Sequence, residues 1–141
     1  MPVRTIGRIE EIALDECLRL LATQKVGRVG VVLGNQPLIL PVNYALDGDT
    51  IVFRTDPGTK LVAASLERVA FEVDEIDPKG RMGWSVLVQG VGQELRRSDG
   101  EAFERAQALP IVPWVGGEKE HWVRVVPAQI SGRRVVRKFP A

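Results

Sequence analysis

The sequence predicts a mainly β fold, an antiparallel six-stranded barrel decorated with short helices. Short runs rich in β-branched residues follow one another, with turn residues at close spacing. Only two or three segments have helical periodicity, and they do not alternate with the strands as they would in a parallel sheet. Closing such a sheet into a barrel removes edges that would otherwise pair with other chains. The length of 141 residues corresponds to a single domain over 1–141.

The first third of the chain predicts one helix followed by three hairpin-connected strands. Leu14, Leu18 and Leu21 recur at helical spacing, so an amphipathic helix is predicted over 12–24. Turn pairs at 34–35 and 47–48 contain glycine, which tolerates the positive φ that tight hairpins need. The three strands are predicted over residues 26–33, 37–46 and 50–55.

The remaining elements are predicted in the order helix, strand, strand, helix, strand, strand. Their ranges are 59–66, 69–76, 84–95, 100–109, 122–126 and 130–136. Gly90 and Gly92 predict a bend or bulge in the long strand that contains them. Ser98 or Asp99 is placed to cap the second of these helices.

Composition and charge restrict the class of partner. Nineteen Lys and Arg against eighteen Asp and Glu leave a net charge of +1, which indicates neither a nucleic acid nor a membrane surface. No stretch approaches the roughly 20 apolar residues of a membrane helix. Acidic residues precede any apolar segment of the signal-peptide kind, so we expect a cytoplasmic protein.

Familiar catalytic and metal-binding patterns are missing from the sequence. One cysteine, Cys17, and one histidine, His121, cannot supply the ligands of a structural zinc site, so no metal is expected. The glycine-rich nucleotide loops, the G-x-S-x-G elbow and the H-E-x-x-H helix are all absent. No local motif pairs His121 with a nucleophile, which argues against a catalytic triad.

The segment 53–61 has the composition of an anion site, because a strand end passes through a tight turn into a helix start. Backbone N–H groups and the dipole at a helix start attract anions. Thr55 and Thr59 add hydroxyl groups and Lys60 adds a full charge, so a phosphate would fit here. In the alternative, Thr59 only caps the helix and Lys60 lies on its solvated face.

The order of these parts, over roughly residues 10–97, resembles the pyridoxamine 5′-phosphate oxidase-like proteins, which are flavin-binding split barrels. The resemblance rests on a hairpin strand with Pro41-Val42-Asn43-Tyr44, an Asp-Gly turn, a Gly-Thr-Lys helix start and a later Gly83-Trp84-Ser85 strand. It implies FMN bound at the interface of a homodimer.

The resemblance also implies which residues contact the flavin. The backbone of the second hairpin strand would lie along the isoalloxazine ring, and a polar residue opening the long strand would approach that ring. Contacts to the ribityl phosphate would come from the end of the next strand and the helix after it. The residues concerned are Pro41, Val42, Asn43, Tyr44, Trp84 and Ser85 for the ring, and Arg54, Thr55, Thr59 and Lys60 for the phosphate. The alternatives are a plain core strand over 41–44 and a packing role for Trp84.

This sequence departs from the true oxidase at two positions of the hairpin strand. The oxidase has an arginine at the start of that strand and a lysine at its end, where Ile39 and Tyr44 stand here. The basic residues near the C-terminus also do not reproduce the oxidase pattern. Pyridoxamine phosphate is therefore not the expected substrate.

The expected function is an FMN-dependent oxidoreductase, reduced by a nicotinamide nucleotide and acting on an unidentified small molecule. No catalytic residue is named, because the cofactor would supply the chemistry. Trp114, His121 and Trp122 would line the other wall of the pocket from the partner chain, or else form a packed loop. The alternatives are a flavin-binding module without turnover, or a relative that binds the deazaflavin coenzyme or haem, with His121 as the haem ligand.

Overall fold

A computed structural model describes residues 7–55, 68–112 and 121–137 of the chain. Within these ranges it contains seven strands and two α-helices. In chain order they are β1 (Gly7–Ile12), α1 (Leu14–Leu21), β2 (Val26–Leu33), β3 (Gln36–Asp47), β4 (Thr50–Thr55), β5 (Arg68–Asp77), β6 (Met82–Leu95), α2 (Glu101–Gln107) and β7 (His121–Arg137).

Six of the strands close into an antiparallel ring, in the order β2, β3, β4, β7, β6, β5 and back to β2. The long β7 closes it, because one edge of β7 pairs with β6 over most of its length while the other edge pairs with β4. β1 pairs with the edge of β7 that β4 also uses, but further along β7, from Ile12↔Gly132 to Gly7↔Arg137. The predicted mainly β, antiparallel barrel is confirmed.

The barrel interior is filled by aromatic and β-branched side chains. Phe71 has no exposed surface, and its ring meets that of Tyr44 edge-on, with the ring centroids 4.9 Å apart. Gly27 lies under this pair, where a Cβ atom would come within 2.3 Å of Phe71 Cζ. The space that Phe71 occupies therefore requires glycine at position 27.

Helix α1 covers the end of the barrel at which β3 ends and β4 begins. Its buried face carries Cys17, Leu20 and Leu21. The Tyr44 hydroxyl donates a hydrogen bond to the Leu21 carbonyl oxygen at 2.5 Å, and burial raises the pKa of that hydroxyl. Gly132 of β7 allows the close approach, since a Cβ there would lie 2.6 Å from Cys17 Sγ.

A second, smaller core lies on the outer face of the barrel beneath α2. It joins residues from the sheet to residues of the helix and the segment after it. Its buried members are Val52, Leu95, Ala106, Ile111 and Trp122.

Several predicted boundaries differ from the structure. The helix predicted over 12–24 is shorter, because Ile12 belongs to β1, a strand that the sequence patterns did not indicate. The helix predicted over 59–66 lies outside the described residues. The predicted cap of α2 is wrong: Gly100 is the N-cap, while the Asp99 carboxylate accepts from the Arg96 N–H and closes the preceding 3₁₀ turn.

The two predicted closing strands, 122–126 and 130–136, are one strand, β7. The pairing with β6 shifts register between Gln89 and Gly90, so that Ala128 has no partner on β6 and a bulge absorbs it. The predicted bend at Gly90 is therefore confirmed. A Cβ on Gly90 would lie 2.0 Å from the Val126 carbonyl oxygen, which is why the bulge needs glycine.

Candidate functional site

The edge of β3 that faces β4 is the first feature of the candidate site. β2 pairs with β3 from Gln36 to Asn43, but β4 pairs only with residues Tyr44 to Asp47. Beyond Tyr44, no strand in the described part of the chain follows β3 on this side. The Tyr44 N–H points to β2, where it donates to the Lys25 carbonyl oxygen.

Because main-chain groups alternate along a strand, those of Asn43, Pro41 and Ile39 point to the β4 side. A planar heterocycle with several polar edge atoms fits such a row of groups. The side chains alternate as well: Val42 and Tyr44 face the barrel core, whereas Pro41 and Asn43 face outward. For the side chains of Val42 and Tyr44, the structure therefore agrees with the core-strand alternative.

Two predicted phosphate contacts, Arg54 and Thr55, end β4 on opposite faces of the sheet. The Arg54 guanidinium lies over the outer face, 4.7 Å from the ring centroid of Trp122. Thr55 faces inward and is 5% exposed, the one buried polar side chain among the described residues. The other two predicted phosphate contacts, Thr59 and Lys60, lie outside the described residues, as does Trp114.

A histidine–carboxylate pair adjoins Thr55. Thr55 pairs directly with His121 across the β4–β7 ladder, so their side chains share the inward face. His121 Nδ1 lies 2.5 Å from Glu94 Oε1 of β6, and Arg96 lies 3.3 Å from the other oxygen of that carboxylate. The hydrogen bond from His121 lowers the pKa of Glu94, against the opposing effect of burial. Sequence reasoning missed Glu94, because it is 27 residues from His121 and no motif links them.

Trp84 and Ser85 lie on the far side of the barrel from β3. They are on β6, which is three strands from β3 in either direction around the ring. Trp84 packs partly buried against the main core, and Ser85 pairs with Asp74 on β5 and Arg133 on β7. The filled core separates them from Asn43 and Thr55, so the structure does not bring the two predicted groups together within one chain.

A cavity of about 690 Å³ opens between the tip of the β2–β3 hairpin and strands β5, β6 and β7. The ladder between β2 and β5 covers only Arg28 to Gly30, and beyond it the two strands separate. The volume is in the range of small-molecule pockets. Its lining is mostly apolar and includes Val32 and Ile39, which are 53% and 73% exposed. No local pattern in the sequence indicates this cavity, because its walls come from five different strands.

A charged cluster occupies the outer face of β2 and β5. Arg28 lies 3.4 Å from Glu72 and 3.5 Å from Asp74. Burial, together with the hydrogen bond and charge of Asp74, raises the pKa of Glu72 to about 7, although Arg28 opposes the shift.

Two other kinds of site are absent from the part of the chain that the structure describes. No group of three or more His, Cys, Asp or Glu side chains in 7–55, 68–112 and 121–137 is arranged to hold a metal ion. None of the helices in those ranges has the length and apolar character needed to span a membrane.

This chain is similar to known proteins over most of its length. The model of the family described as pyridoxamine 5′-phosphate oxidase matches residues 13–134. An uncharacterized protein of Mycobacterium tuberculosis is 36% identical over 134 residues, which cover 91% of this chain and 86% of that protein.

Solved structures agree with that match. The FAD binding protein from Mycobacterium smegmatis is 38% identical, with a TM-score of 0.77 and coverage of 88% of this chain and 96% of that one. An FAD-binding protein from Mesorhizobium loti is 26% identical, with a TM-score of 0.71 and coverage of 89% and 97%.

Proposed function

This chain belongs to the pyridoxamine 5′-phosphate oxidase family, and from that membership we propose that it is a flavin-binding protein that acts as an oxidoreductase on a small molecule. We further propose that it works as a cytoplasmic homodimer with the flavin at the subunit interface. The observation that carries the proposal is its 38% identity, over 88% of the chain, to a protein described as FAD binding.

The residues around the β3 edge fit a flavin. Main-chain groups of Ile39 and Pro41 point to the edge on which the β4 ladder has ended, as an isoalloxazine ring would require. Thr55, at the end of β4, provides a hydroxyl for a phosphate. A bound flavin would supply hydride or electron transfer, while these residues bind and orient it.

The form of the flavin has two candidates. The resemblance implied FMN, whereas the M. smegmatis and M. loti proteins are both described as FAD-binding, which favours FAD. The riboflavin phosphate unit is common to the two molecules. We propose that this unit occupies the β3 edge and the end of β4, with FMN or FAD as its form.

Trp84 and Ser85 lie on the far side of the barrel from the β3 edge, and this position supports the proposed homodimer. One flavin at the β3 edge can meet Ser85 only if a second copy supplies it, because the filled core separates the two sites in one chain. Exposed apolar side chains on the adjoining surface, Val32, Ile39 and Val91, are suited to burial between two copies.

Pyridoxamine phosphate remains an unsuitable substrate in this proposal. Ile39 and Tyr44 occupy the positions at which the oxidase has its arginine and lysine. The Ile39 side chain has no charge to offer, and the Tyr44 side chain is 4% exposed and bonded to Leu21. Neither can hold the phosphate of a substrate.

Purification followed by cofactor analysis tests flavin binding. We expect the visible spectrum of a flavin in the purified protein, and release by heat followed by mass spectrometry identifies FMN, FAD or the deazaflavin coenzyme. The protein is also mixed with each of the three after cofactor removal. Failure of all three to bind would contradict the proposal.

Anaerobic mixing with NADH or NADPH then tests the oxidoreductase proposal. Rapid bleaching of the bound flavin is the expected result, because a nicotinamide is the predicted electron donor. A flavin that stays oxidised with both donors would favour a binding module without turnover.

Mixed dimers test whether Ser85 acts across the interface. We expect Thr55→Val and Ser85→Arg to weaken flavin binding in separate homodimers. Mixing equal amounts of the two variants then restores about a quarter of the tight sites, since about half of the dimers are mixed and one of the two sites in each mixed dimer is intact. No recovery, with subunit exchange confirmed by mass spectrometry, would show that both residues serve the same chain.

A further inference from the structure

We propose that His121, held by Glu94, is a further contact for the phosphate of the flavin nucleotide and that it acts in its protonated form. The proposal rests on the proposed flavin binding and adds a residue that the resemblance did not assign to the phosphate.

The position of His121 follows from the sheet. Thr55 and His121 are direct partners on the inward face of β4 and β7, and directly opposed Cβ atoms in such a ladder are about 5 Å apart. A phosphate that bonds to the Thr55 hydroxyl would therefore lie within reach of the imidazole ring.

Glu94 determines which nitrogen of the His121 ring remains for a ligand. Because its lowered pKa keeps Glu94 an ionised carboxylate, it can only accept a hydrogen bond, so His121 Nδ1 carries the shared proton. The other nitrogen, Nε2, is then the atom that remains for a ligand. As a neutral ring His121 could only accept at Nε2, whereas the imidazolium donates, and a phosphate oxygen needs a donor.

Only the imidazolium can donate to Glu94 and to a phosphate at the same time. Glu94 from β6 is negative, and alone it would repel a phosphate held at Thr55. His121 lies between the two, within reach of both negative groups. Among the described residues, the other charged groups nearby are Arg96, on the far oxygen of Glu94, and Arg54, on the opposite face of the sheet. Both are cations that attract a phosphate and repel an imidazolium, and Arg96 offsets part of the charge of Glu94.

Binding of FMN and of riboflavin, which lacks the phosphate, by cofactor-free protein tests the proposal. We expect His121→Gln to weaken FMN binding about tenfold at pH 6.5 and to change riboflavin binding less than about twofold. Loss of one charge-assisted hydrogen bond to the phosphate predicts this difference. The FMN phosphate itself titrates near pH 6, so each variant is compared with the unchanged protein at the same pH.

Arg124→Gln is the matched control. Arg124 also pairs β7 with β6 through a side-chain hydrogen bond, 2.9 Å to Gln93, but from the opposite face of the sheet. We expect Arg124→Gln to weaken FMN binding less than about twofold. If only the loss of a positive charge mattered, the two variants would weaken FMN binding equally. Equal weakening by the two variants, or equal loss of FMN and riboflavin in His121→Gln, would overturn the proposal.

A measurement on the unsubstituted protein covers the case in which His121→Gln does not fold. The chain has one histidine, so tag-free protein gives a single imidazole C2–H resonance by NMR. We expect FMN, but not riboflavin, to shift this resonance. If both ligands bind and neither moves it, the proposal fails while flavin binding stands. If neither binds, the proposed function itself fails.

Discussion

The two ends of the barrel differ in chemistry. At the end covered by α1, Cys17 and Leu21 have no exposed surface, and one buried hydrogen bond joins Tyr44 to the helix. At the other end, where β4 ends and β7 begins, Thr55, His121 and Glu94 bring polar groups together. The cavity of about 690 Å³ opens at that same end. The barrel is thus stabilised at one end, which leaves the other free to carry polar groups for a ligand.

Leu21→Ala tests the stabilising end and has the largest expected effect. It should lower the free energy of unfolding by about 2–5 kcal/mol, because a fully buried leucine leaves a cavity. Denaturant unfolding of cofactor-free protein measures the change. Leu14, on the same helix, is 58% exposed, so Leu14→Ala should cost less than about 0.5 kcal/mol. Similar losses for both variants would show that α1 does not carry the stability of this end.

Tyr44→Phe is expected to cost about 1–2 kcal/mol, because the Leu21 carbonyl loses the hydroxyl that donates to it. Unfolding measures this loss, and flavin titration is the second measurement. Flavin affinity should stay unchanged, since only the main chain of this part of β3 is expected to meet the ring. A large loss of affinity with unchanged stability would place the Tyr44 side chain in the site.

Thr55→Val tests the polar end, on the premise of the proposed function. We expect FMN affinity to fall about tenfold while riboflavin affinity stays unchanged, because the substitution removes one hydroxyl donor without changing the shape. Stability should change by less than about 1 kcal/mol. Thr50→Val, at the other end of the same strand, is the control and should leave both affinities unchanged.

Glu72 has the smallest expected effect, and it lies on the outer face away from both ends. Its pKa is raised from 4.5 to about 7, so the folded chain binds this proton more tightly than the unfolded chain. Stability due to this group is therefore fully present below pH 4.5 and is lost as the pH rises towards 7. Solvent exposure limits the effect to about 0.5–1 kcal/mol.

Glu72→Gln should remove this part of the pH dependence and raise stability at pH 8. Thermal unfolding between pH 5 and pH 8 measures it, with Glu104→Gln on α2 as an exposed control. An unchanged pH dependence in Glu72→Gln would contradict a raised pKa of Glu72 in the folded chain.

The sequence predicted five strands, β2 to β6, to within two residues at each end, because hairpin turns and β-branched alternation are local signals. It did not predict β1, whose pairing with β7 joins positions such as Ile12 and Gly132 that are far apart in the chain. Family resemblance placed candidate flavin contacts on β3, β4 and β6. It could not indicate that Ser85 faces away from Asn43 across the barrel, because that depends on how the ring closes.

Local order along the chain determined the class of architecture and the hairpins. Closure of the barrel decided the rest: the single long β7, the contact of Tyr44 with Leu21, and the pair of His121 with Glu94. The physical reason is that residue periodicity fixes which face a side chain occupies. Pairing between distant strands, which packing of the whole core selects, fixes which side chains meet.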